Sequence, residues 1–153
     1  LNSMLVMSIF PTPWGRLEVH HDEHFVYSAS FTQKSGVPAN NSLAQTIGKE
    51  LEAYNADPHH RFQLQLKPKG SLYQLNVWNA LLVIPVGRTL TYGELALKLQ
   101  SSPRAIGQAC KRNPLALFIP CHRVVGKNSL GGYMGNPESI SYKESLLAHE
   151  ARL

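Results

Sequence analysis

Only two cysteines, Cys110 and Cys121, occur among the 153 residues, and that scarcity argues against a disulfide framework. Each is read as a thiol. Long apolar runs are lacking too: none approaches the roughly 20 residues that span a bilayer. The stretch Leu1 to Phe10 also lacks the basic flank and length of a signal peptide, so the cytoplasm is the expected compartment. Leu1, Asn2 and Ser3 precede Met4, which is taken as the expected natural start, and the three are set aside. There is no internal repeat and no low-complexity segment. Acidic side chains are scarce in one half alone. Residues 1–70 carry six Lys/Arg against six Asp/Glu, whereas residues 71–153 carry nine against four, so the whole net charge of +5 lies in the second half. That asymmetry fits a polyanion partner or a plain solubility charge, and composition does not separate the two.

What is present has a clear order. Leu5–Phe10 and Leu17–His20 flank a Pro/Gly turn, Phe25–Phe31 follows a second polar turn, and the three segments read as an antiparallel meander. The spacing of Leu43, Ile47, Leu51 and Tyr54 predicts an amphipathic helix, and Arg61–Leu66 alternates like another strand. Lys67-Pro-Lys-Gly70 is the expected linker. Beyond it, Leu75, Trp78, Leu81 and Leu82 form a helical stripe that stops at Pro85-Val-Gly87. Thr91-Tyr-Gly-Glu94 has the form of a capping box, and Ser102-Pro103 that of an N-cap followed by proline at the first helical position. These signals predict two short helices joined by Gln100-Ser101, a helix-turn-helix whose second helix exposes Arg104, Gln108, Lys111 and Arg112. Leu115–Ile119 is an apolar run ending at Pro120. A strand-like Arg123-Val124-Val125 and a glycine-rich loop, Gly126–Gly135, follow. Asn136 and Pro137 then open a last helix to about His149.

Cys121 is either a small buried hydrophobe or a nucleophile. Pro120 cannot donate to a ladder, so Cys121 stands where a core run breaks into a turn, a place that opens onto a cleft. A thiol of ordinary pKa, about 8.5, is only a few per cent thiolate at neutral pH and needs a base or a positive charge nearby. His122 and Arg123 are the candidates. Adjacent side chains on an extended segment point to opposite faces, so His122 would need a turn or a bridging water to reach Cys121. Glu150 is a candidate acceptor to orient the imidazole, since a carboxylate at a helix C-terminus opposes the dipole and invites a partner; it is equally readable as a solvated helix end.

Pro120-Cys-His-Arg-Val-Val125, with Lys111-Arg-Asn-Pro114 before it and Gly132-Tyr-Met-Gly135 and Leu146-Leu-Ala-His-Glu150 after it, resembles the O6-alkylguanine-DNA alkyltransferases over about residues 71–150. The resemblance implies an α+β fold: a small N-terminal α/β domain, RNase H-like, over residues 1–70, and a mostly helical, winged-helix-like DNA-binding and alkyltransfer domain over residues 71–153. It implies Cys121 as acceptor thiol, His122 as water-relayed base, Glu150 as the carboxylate orienting it and Asn113 as a brace of the active-site turn. Tyr92 and Arg104 are implied to flip the target nucleotide, with Tyr92 also a proton donor in the pocket. Arg104, Gln108, Lys111, Arg112 and Arg123 are the other implied DNA contacts, in the minor groove. Val124, Tyr133, Met134 and Gly135 are implied to line the guanine pocket. The expected partner is double-stranded DNA carrying O6-alkylguanine, met by a monomer with no cofactor.

Two departures from the pattern bear on which alkyl groups fit: Asn136 stands where a second glycine is usual, and Ala116 where some relatives have proline. Some members hold zinc through N-terminal cysteines; this chain has none before Cys110. His20, His21, His24, His59 and His60 show no ligand spacing, so no metal site is expected. Three rival readings stand beside this one: a lesion sensor without chemistry, in which the cysteine is typically replaced by tryptophan; a cysteine hydrolase, which leaves the basic helix pair unexplained; and a transcription regulator with a merely structural Cys121.

Overall fold

Alternating apolar side chains fold the N-terminal segment into three antiparallel strands, β1 (Val6–Phe10), β2 (Arg16–His21) and β3 (Val26–Thr32), in the order β1-β2-β3. The computed structural model describes residues 4–152. Leu1, Asn2 and Ser3 lie outside the described residues. Ser8 faces Val19, and Val19 faces Ala29, so one sheet face carries Leu17, Val19, Ala29 and Phe31 into the core. The histidine-rich end of β2 is structural: His21 Nδ1–H donates to the Asp22 carbonyl at 2.9 Å, and Nε2 meets the Ser8 hydroxyl at 2.6 Å. His20 pairs with Glu18 at 2.7 Å and His60 with Glu50 at 3.1 Å.

Helix α1 (Ser42–Ala56) starts where the Asn41 side chain accepts from Ala44 N, and it buries Ala44, Ile47, Leu51 and Tyr54. The segment Arg61–Leu66 alternates in exposure as expected but does not build a strand. It meets β3 at a single bridge, Val26 to Leu66, with Lys67 N donating to Val26 O. Pro68 follows and has no N–H to continue the ladder.

Helix α2 (Leu72–Leu81) opens on a capping box between Ser71 and Gln74, and its Trp78 donates to Ala109 O at 2.9 Å. Strand β4 (Leu90–Thr91) leads into α3 (Tyr92–Leu99), which carries the expected Thr91–Glu94 capping box. Gln100 closes α3 in the left-handed conformation, and α4 (Pro103–Lys111) follows from its Ser102 cap, as the sequence signals require. Strand β5 (Val124–Val125) pairs parallel with β4. A single 3-10 turn, Pro137–Ser139, precedes α5 (Ile140–Glu150), so the last helix begins three residues later than its Asn136-Pro137 signal. The result is a mixed α+β molecule with one apolar core running from Phe10 to Leu146. No helix among the described residues is long and apolar enough to cross a membrane.

Candidate active site

The edge of β3 away from β2 positions the segment that leads to Cys121. Ala29 N donates to Pro114 O at 2.9 Å and Ala116 N donates to Ala29 O at 3.0 Å, which docks Leu115 on the sheet. The apolar run does not continue as a strand. Ile119 N folds back to Leu115 O at 2.8 Å, and Leu117 takes a φ of 76°. A left-handed leucine costs on the order of 1–3 kcal/mol and persists only where its surroundings over-determine it. Asn113 does so, accepting from Leu115 N at 2.9 Å and donating to Ile119 O at 2.8 Å. Asn113 thus makes two hydrogen bonds across one turn.

Cys121–Arg123 form one turn of 3-10 helix, with Arg123 N bonded to Pro120 O at 3.0 Å. The opposite-face alternation of an extended chain therefore does not apply here. Cys121 is 5% exposed and His122 wholly buried. His122 Nε2–H donates to Glu150 Oε2 at 2.8 Å, which leaves Nδ1 as a lone pair without a protein partner among the described residues. Glu150, the last residue of α5, is 1% exposed. Arg123 grips it with Nε on Oε1 at 2.8 Å and Nη2 on Oε2 at 2.9 Å, and its Nη1 donates to Ile84 O at 2.8 Å. The cation thereby offsets both the buried charge and the unfavourable helix dipole.

Burial pushes the Cys121 thiol up, with Asn113 and the Lys143 charge pulling it partly back. Burial pushes His122 down, against the raising influence of Glu150. For Glu150, burial acts upward, but the bonds from His122 and Arg123 win and hold the carboxyl well below its usual range. The resting site is consequently a protonated thiol, a neutral imidazole with a bare Nδ1, and a carboxylate.

Cys121 opens onto a cavity of about 560 Å³ whose walls include Tyr92, Cys110, Tyr133, Met134 and Gly135. Val124, expected in the lining, is instead fully buried and not part of the cavity wall; its carbonyl accepts from Lys143 Nζ at 2.7 Å. Lys143 also donates to Gly132 O at 2.9 Å and lies 5.9 Å from the Tyr92 ring centre. Loss of hydration lowers its ammonium to about 8 despite the nearby thiols. Gly131, at a φ of 74°, lies so close to Tyr92 that a Cβ would stand 2.6 Å from the phenol oxygen. Only glycine tolerates both the backbone and the contact.

Arg104, Gln108, Lys111 and Arg112 are exposed on the outer side of α4, while Ile106, Ala109 and Cys110 face inward. Tyr92 is half-buried at the first position of α3. Arg123, expected at DNA, is turned inward with a side chain 12% exposed, because Glu150 and the Ile84 carbonyl take its donors. Sequence reasoning missed Tyr54, whose hydroxyl donates to Glu150 Oε2 at 2.6 Å, and Lys143. Their signals differ: nothing local marks Tyr54, whereas Lys143 shares the buried stripe of α5 with Leu146, His149 and Glu150. Chemically, a cavity-lining thiol next in sequence to a carboxylate-oriented neutral imidazole, with a phenol in the same cavity wall, is equipped for nucleophilic displacement.

A family model described as 6-O-methylguanine DNA methyltransferase, DNA binding domain, matches residues 72–152. A methylated-DNA–protein-cysteine methyltransferase of Methanosarcina acetivorans is 38% identical over 152 residues, 94% of this chain and 96% of the relative. Among solved structures, the O6-methylguanine methyltransferase of Mycobacterium tuberculosis superposes with a TM-score of 0.83 at 29% identity, covering 97% of this chain and 93% of its own. The Mycobacterium tuberculosis OGT in complex with DNA gives a TM-score of 0.79 at 30% identity, covering 94% and 92%.

Proposed function

The chain belongs to the methylated-DNA–protein-cysteine methyltransferases, and from that premise we propose that it repairs O6-alkylguanine in DNA by moving the alkyl group irreversibly onto Cys121. The observation that carries this reading is the buried series Cys121, His122 and Glu150, in which His122 Nδ1 has no protein partner among the described residues and the thiol walls a cavity.

The chemistry balances without a cofactor. His122 Nδ1 takes the Cys121 proton through a bridging water, and the thiolate attacks the alkyl carbon in line with the carbon–oxygen bond. That bond breaks, its electron pair returns to guanine, and the Tyr92 phenol supplies a proton to the leaving base. The product thioether has no hydrolytic exit, so one protein molecule repairs one lesion. Arg123 serves this reaction by holding Glu150 ionised, a role in place of the DNA contact expected of it.

Access requires the lesion to leave the stack at a cost of a few kcal/mol. The α3–α4 helix-turn-helix enters the minor groove, Tyr92 turns the nucleotide out and Arg104 fills its place. Within this reading, residues 1–70 are an RNase H-like unit and residues 71–153 a winged-helix-like DNA-binding and transfer unit, acting as a monomer. The units are not independent, since Leu115 docks on β3 and Tyr54 reaches Glu150.

Incubation with duplex DNA containing O6-methylguanine is expected to add the mass of one methylene to the Cys121 peptide, once per molecule. Unmodified protein or repeated turnover would sink the proposal. Arg104→Ala should slow transfer from duplex by about 10-fold, corresponding to ~1.4 kcal/mol of the flipping cost, and barely affect a single-stranded oligonucleotide. Equal rates for variant and parent on duplex, measured by single-turnover quench, would remove the assigned role.

A further inference from the structure

Glu150 receives more donors than His122 and Arg123 supply. From α1 the Tyr54 hydroxyl reaches Oε2 at 2.6 Å, the same oxygen that accepts the His122 Nε2–H and the Nη2–H of Arg123. Tyr54 is 1% exposed, with its ring 5.0 Å from Trp14, 5.1 Å from Phe62 and 4.8 Å from His149. Its main chain is tied to the same place, because His149 Nε2–H donates to the Tyr54 carbonyl at 2.7 Å. One tyrosine therefore clamps two consecutive residues at the end of α5. A buried phenol needs an acceptor, but many carbonyls would serve. Here the acceptor is the carboxylate that orients the imidazole.

We propose that Tyr54 is a positioning residue for alkyl transfer: its hydroxyl pins Oε2 and sets how strongly Glu150 pulls on the His122 proton. The proposal rests on the reading of Cys121, His122 and Glu150 as the transfer machinery. A carboxylate oxygen offers about two lone-pair sites, and three donors share Oε2, so each competes with the others for its charge. Without the phenol, that charge falls more fully on the His122 Nε2–H, and Nδ1 becomes more basic. An imidazole protonated at higher pH cannot take the thiol proton there. The groups facing this carboxylate are His122 and Arg123 from the 3-10 turn and Tyr54 from α1, with Tyr133 and Lys143 further out and His149 beside Tyr54. Arg123 and Lys143 both oppose a charge on His122, and removal of the Tyr54 hydroxyl leaves both cations in place. Burial and Glu150 keep the phenol protonated, so it acts as a donor throughout.

Tyr54→Phe keeps the ring in its aromatic cage and removes only the donor. The second-order rate constant for methyl transfer from duplex O6-methylguanine should show its acid limb displaced upward by about half a pH unit. One unit below the parent midpoint, transfer should be about threefold slower, with the two profiles converging in alkali and DNA affinity unchanged. Incorporation of 3-fluorotyrosine at position 54, a stronger donor of nearly the same shape, should displace the limb the other way; this arm decides the matter if Tyr54→Phe folds poorly. A parental profile in both variants, or a loss equal at every pH, overturns the positioning role. Parent protein that leaves Cys121 unmodified at every pH overturns instead the reading on which it rests.

Discussion

Cys121→Ser will bind lesion-bearing duplex with the affinity of the parent protein and take no alkyl group from it. The exchange of sulfur for oxygen conserves shape, and Asn113 still braces the turn through Leu115 and Ile119 backbone groups. What vanishes is an anion within reach of the base: a serine hydroxyl lies far above the thiol in pKa, and a buried neutral imidazole cannot deprotonate it to a useful extent. Binding should survive because Arg104, Gln108 and Arg112 are exposed and lie outside the cavity that the thiol lines. Cys110 shares the cavity and tests the assignment internally. Burial pushes its thiol up to about 12, with Lys143 offsetting only part, so it supplies no thiolate near neutrality. The variant's intact mass should therefore be unchanged after incubation, while fluorescence anisotropy reports parental affinity. A methyl group found on Cys110, or on the hydroxyl that replaces the thiol, would break the link between this site and the chemistry.

The elements nearest the reactive centre were legible for a physical reason: their boundaries are written in caps. Thr91 with Glu94 and Ser102 with Pro103 satisfy orphan N–H groups locally, so α3 and α4 stand where the residues say. The reactive cysteine stood out because proline, thiol and imidazole adjoin in the chain. What was not legible depends on partners far away. Tyr54 reads correctly as a buried position of α1, but its hydroxyl partner lies 96 residues on, and no local pattern specifies it. Leu115–Ile119 reads as an apolar run, yet it is a turn, because Asn113 and the β3 edge impose a conformation that composition does not encode. Arg123 reads as a charge near the thiol and an expected DNA contact; it is inward because burying Glu150 requires a cation to go with it. Lys143 was overlooked since a lysine on an amphipathic helix is usually solvated, whereas its spacing from Leu146 and Glu150 places it on the buried side.

Glu150 carries the second large effect, and two substitutions separate its charge from its shape. Four hydrogen bonds converge on this carboxylate, from Tyr54, His122 and twice from Arg123. Glu150→Ala strands all of these donors, including a guanidinium that cannot lose its proton, and breaking such a buried pair costs about 3–5 kcal/mol. For a chain of this size that lowers Tm by roughly 6–20 °C. Glu150→Gln keeps an acceptor oxygen and should unfold at a temperature between the two. Its transfer rate, measured where it is folded, should still fall about 10²–10⁴-fold, because a neutral amide no longer raises the basicity of His122 or stabilises the imidazolium formed when the thiol gives up its proton. Acid distinguishes the charge term again. The folded carboxyl is held well below its usual value, so the stability it confers is present above the unfolded value of about 4.3 and is lost as pH falls toward the folded one. The glutamine does not titrate and lacks that stability at every pH. The gap in Tm between parent and Glu150→Gln should therefore hold steady from neutrality to about pH 5 and close in stronger acid. A gap independent of pH throughout would mean that the carboxylate is not held ionised by His122 and Arg123, and that His122 is oriented by something other than its charge.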